Sequence, residues 1–581
     1  MSLNPLLEEL KKLRESSKYA VAQGTYSNLD EFKKYLHLER EVEKKLKNII
    51  TKASESDKAQ LLLVCGNVGD GKSHILSHLH DELKSIISEF RIHNDATESH
   101  NPNESSNVTL YKLLKGFKDE NINSSNEKII LAINLGTLSK FIEEYGEEFT
   151  TLKEYIASAR ILDTDLIHDD EFEVTSHFHH VNFTDYHMYM LTEQGAVSKI
   201  ISTLLEKIVA NNKDNTIYKA YLDYKIISED KNVYCPIQYN YEFLFNENNR
   251  TIISQLIVKA IITSKEIVSL RTLLNFVHDI IVPIDLSTIK EADYFKSIEK
   301  MQGAKYISNL IPNYLFEHPE LSSLFDKIEN LDPCITRSTI TDDILLTLIN
   351  AENPLDIFSK HISKTYLERI ESKLSNSTIS KSDLSRFFMR LNYFDNYFEN
   401  DYLKDIDFDE YLVWLYHYNN HNREYIKKIY ELVGHAARNW NGDPKANGKV
   451  IINVGKKQTQ YRVFKDFEVI PNVSVIKEKK DTHIDKFTQE FLLSYKINNE
   501  NDTIKIHVDF SLFKILKMIS QGYRPNKKDN NNYVYFVNSV NILINQNNNK
   551  ASLYIDEVNI GKAVDYKFSK DTFSGYKFQV I

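Results

Sequence analysis

The chain is poor in the residues that staple or punctuate small folds: 3 cysteines, 16 glycines and 11 prolines among 581 residues. Cys65, Cys235 and Cys334 lie far apart and form no CxxC pair, which excludes a disulfide framework and a zinc ribbon. Cys65 ends an apolar run and reads as a small apolar residue. Long hydrophobic runs are missing too. None approaches the ~18 residues of a membrane span, so none is expected. The segment 1–18 has the mixed charge of an amphipathic helix and lacks the apolar block of a signal peptide. These absences together point to a reducing cytoplasm. An excess of positive charge is also lacking: 72 Lys and Arg against 82 Asp and Glu leave a net charge of −10. That excludes a uniformly basic surface, so any nucleic-acid contact must be local or supplied by partners.

What is present is enough apolar material, 42% of residues, for several cores. Residues 1–56 read as helices, including one just before the first strand that fits a plain packing helix as well as the base-flanking helix of a nucleotide-binding fold. From 57 to 234 short apolar strands alternate with helices, the pattern of a parallel α/β sheet. The strands are expected at 61–65, 89–93, 128–134 and 177–183. Residues 235–430 read as helical, with the clearest periodicity over 250–262 and 268–281, where Pro283 stops the second helix. From 431 to 581 strands are expected to dominate, at 449–454, 503–508, 533–537, 551–555 and 576–581.

The strongest chemical signal is Gly66, Asn67, Val68, Gly69, Asp70, Gly71, Lys72 and Ser73, which satisfies G-x-x-x-x-G-K-[ST]. It stands between the run Leu61–Cys65 and a stretch with apolar residues at 75, 76, 79 and 83, a helical spacing. Strand, glycine turn and helix N-terminus in that order let backbone N–H groups and the helix dipole hold phosphates. Lys72 then reaches the β- and γ-phosphates of ATP, Ser73 holds Mg²⁺, and His74 follows directly.

Hydrolysis needs more: an acid for the metal and a group that orients water. Asp95 stands just past the 89–93 strand as the magnesium candidate, with Glu98 as the water-activating candidate. The same segment also reads as a capping loop, with Asp95 or Thr97 as N-cap. The strand ending at Asn134 has the spacing of the usual Walker B strand but ends in an amide. Asn134 instead suits a sensor 1 role, feeling the γ-phosphate from a neighbouring strand. Arg271 on the 268–281 helix resembles a sensor-2 arginine, with Asn275 one turn on, and also fits a plain surface arginine. Arg250 is a weaker candidate for an arginine finger in a homo-oligomer. His177, His179, His180 and His187 invite a zinc reading, but alternation splits them between two faces, so stacked or exposed histidines on an edge strand are expected. Basic residues beside Tyr461 and Tyr523 (Lys456, Lys457, Arg462, Lys465, Lys477–Lys480, Arg524–Lys528) are read as a solvated face, with DNA backbone contact as the alternative.

The runs 66–74, 92–99 (Ile-His-Asn-Asp-Ala-Thr-Glu-Ser), 128–136 (Lys-Ile-Ile-Leu-Ala-Ile-Asn-Leu-Gly), 235–241 and 268–283 together resemble the DptF family. These are the ATPase-like components of DNA phosphorothioation-dependent restriction systems. The resemblance covers most of the chain and fades in its C-terminal part. It implies an α/β P-loop NTPase core, AAA+-like, with a helical lid and middle region and a β-rich C-terminal domain. It further implies a prokaryotic cytoplasm, ATP use, companion restriction subunits, and DNA lacking the sulfur mark as shared substrate. No PD-(D/E)xK or HNH pattern is present, so cleavage would belong to another subunit. A STAND-like nucleotide switch with little turnover is the alternative.

Overall fold

The computed structural model describes residues 4–19, 31–67, 70–93, 106–163, 167–168, 170–266, 268–335, 338–375, 379–444, 448–452, 460–473, 477–497, 502–545, 552–557, 566–571 and 575–580. They form two compact units, one of 1–190 with 196–405 and one of 191–195 with 406–581. No helix among the described residues is long and apolar enough to cross a membrane.

The first unit holds a four-stranded parallel sheet. Its strands are β1 (Gln60–Cys65), β2 (Arg91–His93), β3 (Lys128–Ile133) and β4 (Phe178–Asn182), in the order β2-β3-β1-β4. Every residue of β1 is buried, as a central strand covered on both faces requires. Alternate side chains feed opposite cores. Leu61, Leu63 and Cys65 pack with Ile129, Leu131 and Ile133, while Leu62 and Val64 pack with Ile130 and Ala132.

Helices cover both faces. Among the described residues the first seven, in chain order, are α1 (Pro5–Tyr19), α2 (Glu31–Leu36), α3 (Glu41–Ser54), α4 (Lys72–Glu82), α5 (Lys84–Ile87), α6 (Ser106–Leu113) and α7 (Leu135–Tyr145). Val42, Leu46 and Ile49 of α3 and Ile75, Leu76 and Leu79 of α4 close the face of Leu62 and Val64. Leu110 of α6, with Leu138 and Phe141 of α7, closes the other. The result is mixed α/β with a parallel sheet between helical layers. From β1 the chain crosses to β2, returns through β3, and only later adds β4 on the other flank. The strand order therefore reverses beside β1, where open α/β sheets bind ligands at the strands' carboxyl ends.

Beyond Pro236 the first unit is helical, including Pro236–Phe243, Glu247–Ser264, Leu270–Ile281, Ile311–Glu317 and Lys381–Asn396. The second unit opens with helices Ile406–Asn419 and Arg423–Asn439. It continues with a hairpin, Phe491–Ile497 against Asp502–Val508, and a five-stranded antiparallel sheet ending in Gly575–Val580. One expected strand is corrected: 534–545 is a helix, Val534–Asn545. Its buried residues Phe536, Val540, Leu543 and Ile544 recur at helical spacing, which outweighed the β-favouring Val and Tyr of 533–537.

Candidate functional site

The Gly66 loop leaves the carboxyl end of β1, between the ends of its two neighbours. Cys65 pairs with Ile133 of β3 on one side and with Asn182 of β4 on the other. Gly66 and Gly71 have φ of +155° and +87°, conformations that favour glycine. A Cβ on Gly66 would lie 2.9 Å from both Asp70 Oδ2 and the Cβ of Phe183. The glycine is therefore required by space as well as by backbone angle. Gly71 stands at the N-cap of α4 and supplies no side-chain capping hydrogen bond.

Polar contacts fold the loop on itself. Lys72 Nζ donates to the carbonyls of Gly66 (2.9 Å) and Asn67 (2.7 Å), while the N–H of Asn67 donates to Asp70 Oδ2 at 2.6 Å. Burial raises the Asp70 carboxyl, and the Asn67 N–H, Lys72 and Arg40 pull against it. Arg40, the residue before α3, donates from Nη1 to the Asp70 carbonyl at 2.6 Å and lies 5.6 Å from the Phe183 ring centre. Burial lowers its guanidinium, and the charges of Asp70 and Glu43 oppose that. Two cations, Lys72 and Arg40, thus hold the loop whose N–H groups and helix terminus would face an anion. Arg40 carries no motif and joins the site only through tertiary packing.

Asn134, at the end of β3, caps α7: its Oδ1 accepts from the N–H of Thr137 at 2.7 Å. It lies just past the end of β3, the strand beside β1. β2 lies one strand further out and runs parallel, so 94–99 follow the carboxyl end of a strand about 10 Å from β1. Asp95 and Glu98, like Val68 and Gly69, lie outside the described residues.

Arg271 is on the Leu270–Ile281 helix, where its Nε, like Asn275 Oδ1, is buried without a hydrogen bond. No hydrogen bond, ion pair or ring contact among the described residues joins Arg271 to residues 66–74. Arg250 Nη1 donates to the carbonyls of Leu244 (2.7 Å) and Phe245 (2.9 Å), a capping role within its own chain. Among the basic residues of the second unit, Lys465 is buried and donates to the Ile544 carbonyl at 2.9 Å, which removes it from a solvated face.

The β4 histidines do not converge. His177 Nδ1 meets the Ala59 carbonyl (2.9 Å), His179 Nε2 meets Gln60 Oε1 (2.9 Å), and His180 Nδ1 meets the Tyr155 hydroxyl (2.9 Å). His179 also stacks on Phe172, and His187 on Tyr189. The strand is an edge of its sheet, yet His179 and His180 are buried rather than exposed. Burial holds the His179 imidazole down to about 4. An unfolded histidine titrates near 6.5, so the unfolded chain binds the extra proton between about pH 6.5 and 4. Stability should be full above that window and fall through it as pH drops. In urea titrations at stepped pH, His179→Gln should flatten the slope; an unchanged slope would place the sensitivity elsewhere.

Burial pushes the Cys65 thiol up to about 12, so the cysteine behind the loop is an apolar filler rather than a nucleophile. No family model, curated protein or solved structure matches the chain.

Proposed function

We propose that the chain is an ATP-binding and ATP-hydrolysing P-loop protein with an AAA+-like core. In this reading it couples its nucleotide state to the action of partner restriction subunits on DNA lacking phosphorothioate. The observation that carries the nucleotide part is the Gly66–Ser73 loop itself. It stands at the carboxyl end of a fully buried central parallel strand, against a helix N-terminus, with Lys72 folded over it and Asn134 on the adjacent strand. The restriction part rests on the sequence resemblance, chiefly the 92–99 and 128–136 runs.

The residues fit a triphosphate. Gly66 leaves no room for a side chain where the loop must close, and Lys72 already bonds two carbonyls that phosphate oxygens would replace. Ser73 and Asp95 would hold Mg²⁺, which would neutralise charge building on the phosphates. Glu98 would orient water and Asn134 would report on the γ-phosphate.

The test is phosphate release by the full chain, with and without DNA and companion subunits. Turnover should be stimulated by unmodified DNA. Asp95→Asn should cut turnover about 10²–10³-fold, the range for removing one group that stabilises developing charge, while leaving nucleotide affinity within a few-fold. Intact turnover in that variant would move the metal acid elsewhere. Tight nucleotide binding with no turnover under any condition would favour the STAND-like switch.

A further inference from the structure

Behind the loop, on the outer side of α4, four side chains from three segments meet. His74 and His78 are one turn apart on α4, His37 follows α2, and Glu43 lies in the first turn of α3. Glu43 Oε1 is 3.2 Å from His37 Nε2 and 2.9 Å from His78 Nδ1. His37 Nδ1 lies 3.0 Å from His74 Nε2. The Glu43 residue is 3% exposed.

Three polar atoms in this pocket, His37 Nε2, His78 Nδ1 and Glu43 Oε2, are buried without a hydrogen bond. Such groups are costly in a folded chain, and each calls for an explanation. Both imidazole nitrogens approach one oxygen, Glu43 Oε1, in ion-pair contacts, and Glu43 Oε2 has no hydrogen-bond partner among the described residues. The His37 and His78 rings are stacked with centroids 3.6 Å apart at 9°, an arrangement in which two imidazolium cations would repel.

We propose that His37, Glu43 and His78 form a site for a divalent transition-metal cation of the zinc class, with His74 as the positioning residue. The potential ligand atoms lie within 4.8 Å of one another. Two tetrahedral zinc ligands with bonds of about 2.0–2.1 Å stand about 3.3 Å apart, which the 2.9 and 3.2 Å separations approach. Two imidazoles and one carboxylate favour zinc over magnesium, whose ligands are oxygens. The His74 contact has the form of an outer-shell partner. A His37 Nδ1–H donated to His74 Nε2 leaves the Nε2 lone pair of His37 for the ion. Because the rings are parallel, binding requires one imidazole to turn about its Cβ–Cγ bond, which breaks the stack.

The backbone on both sides of the site is fixed. Lys207 Nζ donates to the carbonyls of Tyr35 (2.9 Å) and His37 (2.6 Å), and α3 and α4 share one core. Arg40 lies between His37 and Glu43 in sequence and bonds the Asp70 carbonyl. A cation at His37, Glu43 and His78 would therefore tie the segment that carries Arg40 to the helix that begins at Lys72. In this way it would stiffen the loop from behind. The inference stands apart from the nucleotide reading, since none of the three ligands is in the loop.

The test uses the full chain, stripped with a chelator and dialysed against zinc, with metal content measured and Co²⁺ substitution followed by visible absorption. Wild type should retain one ion more per chain than the His37→Asn/His78→Asn double variant. It should show the Co²⁺ bands of a nitrogen and oxygen site and unfold at a higher temperature with zinc than with chelator. Glu43→Gln should lose the bands. His74→Gln should keep them with affinity reduced about 10–100-fold, the usual loss when an outer-shell partner is removed. Circular dichroism checks that each variant folds, and single replacements of His37 and His78 serve if the double variant does not. Equal zinc content in wild type and folded variants, or no zinc retained by wild type, overturns the site. Nucleotide binding measured on the same samples shows separately whether the loop reading stands.

Discussion

Lys72→Ala should abolish nucleotide-dependent behaviour while leaving the fold in place. In the structure the ammonium donates to the carbonyls of Gly66 and Asn67, so removing it takes these hydrogen bonds from the loop. Each is worth about 0.5–1.5 kcal/mol, a modest loss at a part-exposed site. The loss on nucleotide is larger, because a charge-assisted contact to phosphate is worth about 1.5–3 kcal/mol, or about 10–150-fold in affinity. Turnover should drop by a further 10²–10³-fold, roughly, because the same charge faces the phosphoryl group as it departs. Lys72→Arg should not rescue, since a planar fork cannot replace a compact ammonium against two carbonyls. Titration with a fluorescent ATP analogue and phosphate-release assays check both effects, and thermal unfolding checks the fold. If affinity and turnover survive Lys72→Ala, residues 66–73 are a structural turn and the nucleotide proposal fails.

What could be read from the sequence was what is local. β1 and β3 are short, nearly continuous apolar runs, and both sit in the centre of the parallel sheet. Their position follows from burial on two faces, which leaves no polar alternation. Asn134 was legible for the same reason, as the residue that ends such a run. The helix Leu270–Ile281 was visible through its spacing and through Pro283. The segment 534–545 was not, because its aromatic and β-branched residues favour a strand locally while tertiary packing selects the helical face of Phe536, Val540 and Leu543.

The site's support was hidden for a different reason. Arg40 reaches Asp70 across 30 positions, and His37 reaches His74 and His78 across about 40. Only the four-residue spacing of His74 and His78 could have hinted that they share a helical face. On β4 the histidines stood out in sequence and proved to have separate partners, because a strand sends neighbours to opposite faces. Clusters along the chain and clusters in space are different things, and here the second kind surrounds the loop.

The helical part of the first unit rests on a buried arginine, and its removal should be the most destabilising single change outside the sheet. Arg390, on the Lys381–Asn396 helix, is 2% exposed. Its Nε and Nη2 donate to the two Asp332 oxygens at 3.2 and 2.7 Å, and Nη1 donates to Asn313 Oδ1 at 2.9 Å and Glu317 Oε1 at 2.5 Å. Burial alone would lower the guanidinium, yet the hydrogen bonds and charges of Asp332 and Glu317 outweigh it and raise it. It therefore stays charged at every accessible pH. Arg390→Leu fills much of the volume but strands the buried Asp332 carboxylate, a change that costs about 3–5 kcal/mol. Arg390→Lys keeps the charge and loses the fork that spans Asp332 and Asn313, so it should recover only part. Replacing both partners, Arg390→Leu with Asp332→Leu, should be milder than Arg390→Leu alone, because the buried Asp332 charge is gone and only the part-exposed Glu317 carboxylate is left unpaired. Urea unfolding of the three variants reads the order directly. A single variant as stable as wild type, or a double variant less stable than Arg390→Leu alone, would show that this cluster does not hold the helices together.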